Sequence, residues 1–197
     1  MRVVLADYGA GNTRSVCAAL ARAGAEAVVS TEAAEIREAP LVVIAGVGHV
    51  AAAARGLAPV ADALRERVVA GRPVFGICVG LQLFFEASEE GGRGLGLLEG
   101  PVRRLRARRV PHMGWNSLVA ERDSRLLDGL EGADVYFAHS FAVEPAGDVA
   151  IAHVDHEGVV VAAVESWPLA GVQFHPERSG AAGARLLENA LAWSRSA

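Results

Sequence analysis

Two uninterrupted apolar runs constrain this chain more than any other feature: Leu41-Val42-Val43-Ile44-Ala45 and Pro73-Val74-Phe75-Gly76-Ile77. Neither alternates with polar residues, as a strand wet on one face would. Such runs belong to strands covered on both faces, the hallmark of a parallel sheet flanked by helices. Between them, residues from about Val50 to Ala70 carry a helical pattern broken near Gly56 and Pro59. The same alternation opens the chain. Arg2–Ala6 reads as a strand, Asp7–Asn12 as a turn, and Val16, Ala19, Leu20 and Ala23 recur at helical spacing before Gly24 stops the helix. Ala25–Ser30 reads as a second strand. A further helix is expected from Val79 to about Ala87. The second half is richer in strands, at Val102–Leu105, Val135–Ala138, Val149–Val154, Val159–Val164 and Gly171–Phe174, and ends in a helix from about Ala181 to Trp193. The pattern predicts an α/β fold: a doubly wound, mostly parallel but mixed sheet with helices on both faces. No linker or repeat interrupts it, so residues 1–197 are expected to form a single domain.

Composition removes several chemistries. With 52% hydrophobic residues the chain has material for a core, and a disordered chain is excluded. All 19 basic residues are arginine, which excludes a Schiff-base lysine and a phosphate-binding P-loop. The net charge is −4, so nothing global points to nucleic acid. Two cysteines, Cys17 and Cys78, are too few for a disulfide framework or a thiolate metal cluster. No apolar run approaches a membrane span, and the opening apolar stretch is too short for a signal peptide. The expected location is the cytoplasm.

Gly76-Ile77-Cys78-Val79-Gly80 stands where a buried strand meets a helix. This is a nucleophile elbow with cysteine at its apex: the turn is sharp, and glycines two residues to either side let strand and helix approach without Cβ clashes. The following helix N-terminus is expected to favour the thiolate, and the Val79 N–H to serve as an oxyanion donor. Cys17, mid-helix and without a glycine frame, reads as structural. A cysteine nucleophile needs a base, and the base needs an orienting group. Gly171-Val172-Gln173-Phe174-His175-Pro176-Glu177 supplies both. Pro176 disfavours helix at His175, and in an extended segment residues two apart face the same way, which pairs His175 with Glu177. Both motifs follow apolar strands, placing them at the sheet's carboxyl edge, where open α/β sheets bind ligands.

These two motifs, with Leu81-Gln82 following the elbow, resemble the class I glutamine amidotransferases. Four further segments, Tyr8–Asn12, Gly46-Val47-Gly48, Pro111–Asn116 and Tyr136–Phe141, narrow the resemblance to the glutaminase subunits of imidazole glycerol phosphate synthases, a family of histidine biosynthesis. The resemblance covers nearly the whole chain in order. It implies a Cys78–His175–Glu177 triad that hydrolyses glutamine through a γ-glutamyl thioester and passes ammonia to a cyclase subunit in a heterodimer. It places Gln82 and Ser140 around the substrate and a second oxyanion amide in the Val47–Gly48 loop. It turns Asn12, Trp115, Tyr136 and Arg178 toward the cyclase. Neither metal nor cofactor is implied.

The chain departs from the family pattern twice. Ala45 stands where proline usually precedes Gly-Val-Gly, leaving φ unlocked, and Arg178 replaces the usual lysine after His-Pro-Glu, exchanging a point charge for a planar fork. A glutaminase serving another synthase, such as a pyridoxal phosphate synthase, shares the triad but has no reason for the Met113–Asn116 set. Cysteine peptidases or hydrolases of similar sheet order usually carry the orienting acid elsewhere. His153 and Asp155 share a strand face but have no third metal ligand in view. The Arg103–Arg109 run, without interleaved aromatics, reads as a solvated strand or a partner's rim, and the loop Glu89–Gly94 as the most flexible segment.

Overall fold

The computed structural model describes residues 1–195; the last two residues of the 1–197 span lie outside the described residues. In chain order the elements are β1 (Arg2–Ala6), α1 (Thr13–Arg22), β2 (Glu26–Ser30), α2 (Ala33–Glu38), β3 (Leu41–Gly46), α3 (Val50–Leu57), α4 (Ala61–Val69), β4 (Val74–Cys78) and α5 (Val79–Gln82). There follow β5 (Phe85–Ser88), β6 (Leu98–Arg104), β7 (His112–Ser117), β8 (Val119–Ala120), β9 (Asp134–His139), β10 (Phe141–Val143), β11 (Ala150–Asp155), β12 (Val159–Ser166), β13 (Leu169–Val172) and α6 (Gly180–Trp193).

Eight strands form the main sheet in the order β2-β1-β3-β4-β13-β12-β11-β8. The first five pair in parallel and the last three antiparallel, so the sheet is mixed, as expected. The connection through α1 runs outward to β2, while those through α2 and through α3–α4 run the other way. Right-handed crossovers in opposite directions lie on opposite faces. Consistently, α1 packs with α6, and α2 with α4. Leu41, Val42, Ile44, Val74 and Phe75 have no exposed surface, which accounts for the two apolar runs: they are the central strands, covered above and below.

Several expectations need correcting. The helix after the elbow is one turn long, not nine residues. Leu83, Phe84 and Phe85 are all buried to 1% exposure or less; three consecutive apolar residues buried on every side leave no wet helix face, and the chain turns into β5, which pairs with β6. The strand expected at Gly171–Phe174 is Leu169–Val172, and the one expected at Val102 begins at Leu98. Residues 33–38 form an unforeseen helix. In the Glu89–Gly94 loop, Glu89 pairs with Arg103 at 2.7 Å and Glu90 accepts the Val50 N–H at 2.9 Å.

Candidate active site

Strand register brings the motifs together. On β4, Gly76 and Ile77 lie beside Gly171 and Val172 of the parallel β13. On the other side Cys78 lies beside Gly46 of β3. Three neighbouring strands therefore deliver, at one edge, the Gly46-Val47-Gly48 loop, Cys78 and the segment leading to His175.

The elbow glycines are required by close approach. A Cβ on Gly80 would stand 1.8 Å from the Ile44 carbonyl oxygen, and one on Gly76 2.6 Å from the Leu81 nitrogen. Cys78 itself has φ +54° and ψ −109°, a backbone conformation L-residues rarely adopt and one that persists only where the surroundings impose it. Because α5 is a single turn, its summed dipole is small. What acts on the sulfur is side-chain chemistry: Gln173 Nε2 lies 3.6 Å from Cys78 Sγ, and His175 interacts with it from the other motif.

His175 and Glu177 do pair, Nδ1 to Oε1 at 2.9 Å, with side chains 5% and 1% exposed. They meet through a 3-10 turn over Pro176–Arg178 rather than along an extended strand. A carboxylate oxygen only accepts, so Nδ1 carries the proton. Nε2 is buried and makes no well-formed hydrogen bond among the described residues. Burial opposes a cationic ring, but the Cys78 sulfur and the Glu177 carboxylate outweigh it and hold the His175 pKa up, at about 10. The backbone of this turn is anchored to β9: the His175 N–H donates to the Tyr136 carbonyl at 2.8 Å, while the Ser179 hydroxyl donates to the His175 carbonyl at 2.7 Å and accepts the Tyr136 N–H at 2.9 Å. Ser179, 2% exposed, carries no motif that would single it out in the sequence.

A cavity of about 260 Å³ opens beside Cys78, and Val47, Gly48, Val79, Gln82 and Ser140 all line it. So does Glu90, which lies in a glycine-rich run with no motif to mark it. Its carboxylate is fixed by the Val50 N–H and by His49 Nδ1 at 2.8 Å. Gln82 is 3% exposed, and its amide nitrogen is engaged by the Phe141 carbonyl at 2.8 Å and by Gln173 Oε1 at 3.0 Å. Of the residues expected to face a partner, three cluster: the Arg178 guanidinium lies 4.4 Å over the Tyr136 ring, and Trp115, 58% exposed, meets that ring edge-on at 6.0 Å. Asn12 instead donates to Glu177 Oε1 at 3.3 Å. Cys17 sits in α1, partly buried, its thiol pKa pushed up by burial. His153 pairs with Glu121 at 3.1 Å.

Residues 4–193 match the family model described as glutamine amidotransferase class-I, and the chain belongs to the class I glutamine amidotransferases. Within that class its relatives are particular. It is 46% identical to the imidazole glycerol phosphate synthase subunit HisH of Renibacterium salmoninarum, over 95% of this chain and 92% of that protein. It is 44% identical to the HisH subunit of Rhodospirillum rubrum, over 98% and 100%, and 40% identical to that of Methanothermobacter thermautotrophicus, over 95% and 96%. The fold is shared with a solved glutamine amidotransferase at a TM-score of 0.79, 21% identity and 98% coverage of both chains. It is shared as well with a chain of PurLQS from Thermotoga maritima, at a TM-score of 0.78, 21% identity and 98% coverage of both chains.

Proposed function

We propose that the chain, a single amidotransferase domain over 1–197, is the glutaminase subunit of an imidazole glycerol phosphate synthase. It hydrolyses glutamine and supplies ammonia to a cyclase subunit in histidine biosynthesis. The observation that carries this reading is the meeting of Cys78 with the His175–Glu177 pair at the ends of two adjacent parallel strands. The Cys78 sulfur attacks the side-chain amide carbon of glutamine, and negative charge passes to the amide oxygen. The N–H groups of Val79 and of the Val47–Gly48 loop are the donors for that oxyanion. The tetrahedral species collapses as His175 gives its Nε2 proton to the nitrogen, which leaves as ammonia. Water, deprotonated by the same nitrogen, then attacks the thioester and releases glutamate and the sulfur. Glu177 holds the ring's tautomer throughout and stabilises its charge whenever Nε2 is protonated. Gln82 and Ser140 border the substrate, and Glu90 offers its α-ammonium a fixed counter-charge.

The cluster of Trp115, Tyr136 and Arg178, with Met113 66% exposed beside it, is the face we assign to the cyclase, with Asn12 linking that side to Glu177. The cytoplasm is the compartment that suits this role; among the described residues no helix is long and apolar enough to cross a membrane. The decisive experiment is glutamine-to-glutamate turnover, measured with and without the nucleotide-bound cyclase. No glutamine turnover even with the nucleotide-bound cyclase, or turnover that persists at the parental rate in Cys78→Ser, sinks the assignment.

A further inference from the structure

The direction of the hydrogen bonds around the nucleophile is set by one backbone oxygen. The Phe141 carbonyl can only accept. One terminal atom of the Gln82 side chain lies 2.8 Å from it, so that atom is the amide nitrogen. The same nitrogen lies 3.0 Å from the Gln173 side chain, so Gln173 must present its oxygen there. The Gln173 amide is thereby fixed with Nε2 pointing the other way, 3.6 Å from the Cys78 sulfur. Turning either amide over would set oxygen against oxygen or leave N–H facing N–H. With Gln82 3% and Gln173 0% exposed, water cannot repair the mismatch. The backbone of Gln173 is held too, its N–H donating to the Ala162 carbonyl at 2.8 Å.

We infer that Gln173 is a positioning residue for the nucleophile: its side-chain amide donates to the Cys78 sulfur, with the donor direction imposed by the Phe141 carbonyl through Gln82. This rests on the reading of Cys78 as the nucleophile and adds, beside His175, a second side chain acting on its sulfur. A hydrogen bond to an ionised acceptor is roughly twice as strong as a neutral one, so the N–H favours the thiolate over the thiol and holds it in one orientation. One segment thus carries both the sulfur's donor and, two residues on, its acid–base partner. Gln82 gains a second task, since its amide hydrogens orient Gln173.

The test reads the sulfur directly, without turnover. In the full-length chain carrying Cys17→Ser, one thiol remains, and its alkylation rate by iodoacetamide is followed against pH, together with its ultraviolet thiolate absorbance. Gln173→Met keeps the bulk and removes the donor. The midpoint is expected to rise by about one pH unit, and kcat to fall about tenfold with KM within about twofold. Gln173→Glu, the same size and polar, is the second variant in case the first does not fold. Its carboxylate takes the Gln82 N–H and sets an acceptor against the sulfur, so its midpoint rises at least as far. A purely structural role would lower stability and leave the midpoint in place. A folded variant of either kind with the parental midpoint overturns the inference. Parental turnover in Cys78→Ser would instead overturn the reading it rests on.

Discussion

At the scale of single residues the two cysteines are a natural control for each other. Cys78 sits in a strained elbow with His175 and Gln173 acting on its sulfur, whereas Cys17 is half-buried in a helix with its thiol pushed up by burial. Cys78→Ser and His175→Ala are each expected to lower glutamine turnover by about a thousandfold or more, and the double variant by hardly more, because triad members act as a unit. Cys17→Ser should stay within roughly twofold of the parent. A glutamine analogue with an electrophile at the δ position should label Cys78, with peptide mapping as the readout. Equal labelling of Cys17 would count against a tuned site. The proposed triad is legible in the sequence because each member stands in a contiguous motif. The roles of Glu90, Ser179 and Gln173 are not, even though Gln173 stands inside the Gly171–Glu177 segment, because their partners lie 40, 43 and 95 positions away.

At the scale of elements the elbow works only if strand and helix nearly touch. Gly80→Ala would drive a Cβ to 1.8 Å from the Ile44 carbonyl, a backbone atom in a central strand with no room to yield. The expected cost is about 3 kcal/mol or more. That corresponds to a Tm lowered by roughly 10 °C in a chain of this size, a loss a thermal melt would register. The neighbouring β3 ends in the loop whose preceding residue is Ala45, 2% exposed. Ala45→Pro, by fixing φ, should alter the turnover of the isolated chain while leaving the Cys78 alkylation midpoint unchanged. A shifted midpoint would show that the loop acts on the sulfur instead of on the oxyanion.

At the scale of the whole molecule, three buried rings set the pH range of stability. His139 and His112 are hydrogen-bonded to each other at 3.2 Å, and His112 stacks on His156 and Phe137. Burial, with smaller contributions from neighbouring histidines, lowers their pKa values to about 3 and about 4. The unfolded rings titrate near 6.5, so below that pH the unfolded chain binds more protons than the folded one. The stability these two rings contribute is full above pH 6.5 and falls as pH drops toward 4. Each ring should account for about 2 kcal/mol between pH 7 and 5, and His139→Gln should flatten that limb in urea titrations. His175 has the opposite sign: its raised pKa contributes stability present below about 6.5 and lost as pH climbs through about 10. Turnover is expected to depend on assembly as well. One missing oxyanion donor is worth about 10²–10³ in rate. If cyclase contacts favour the competent form of the Val47–Gly48 loop, the isolated chain should be slower than the liganded complex by that scale. A free chain already as fast would remove the gating role from the loop and leave the triad standing.

Local order in the chain determined a good deal by itself. Continuous apolar runs required strands buried on both faces, the glycine frame marked the elbow, and His-Pro-Glu marked a paired base, because each signal is written in neighbouring residues. Other features were decided only when distant segments met. The helix after the elbow stopped at Gln82 because Leu83, Phe84 and Phe85 found burial on every side, which no single-helix pattern records. The adjacency of β4 and β13 joined motifs nearly a hundred positions apart. The orientation of the Gln173 amide was settled by a carbonyl on another strand. Periodicity reports which face of a segment is buried, whereas hydrogen-bond direction and strand order depend on partners that only the folded chain brings within reach.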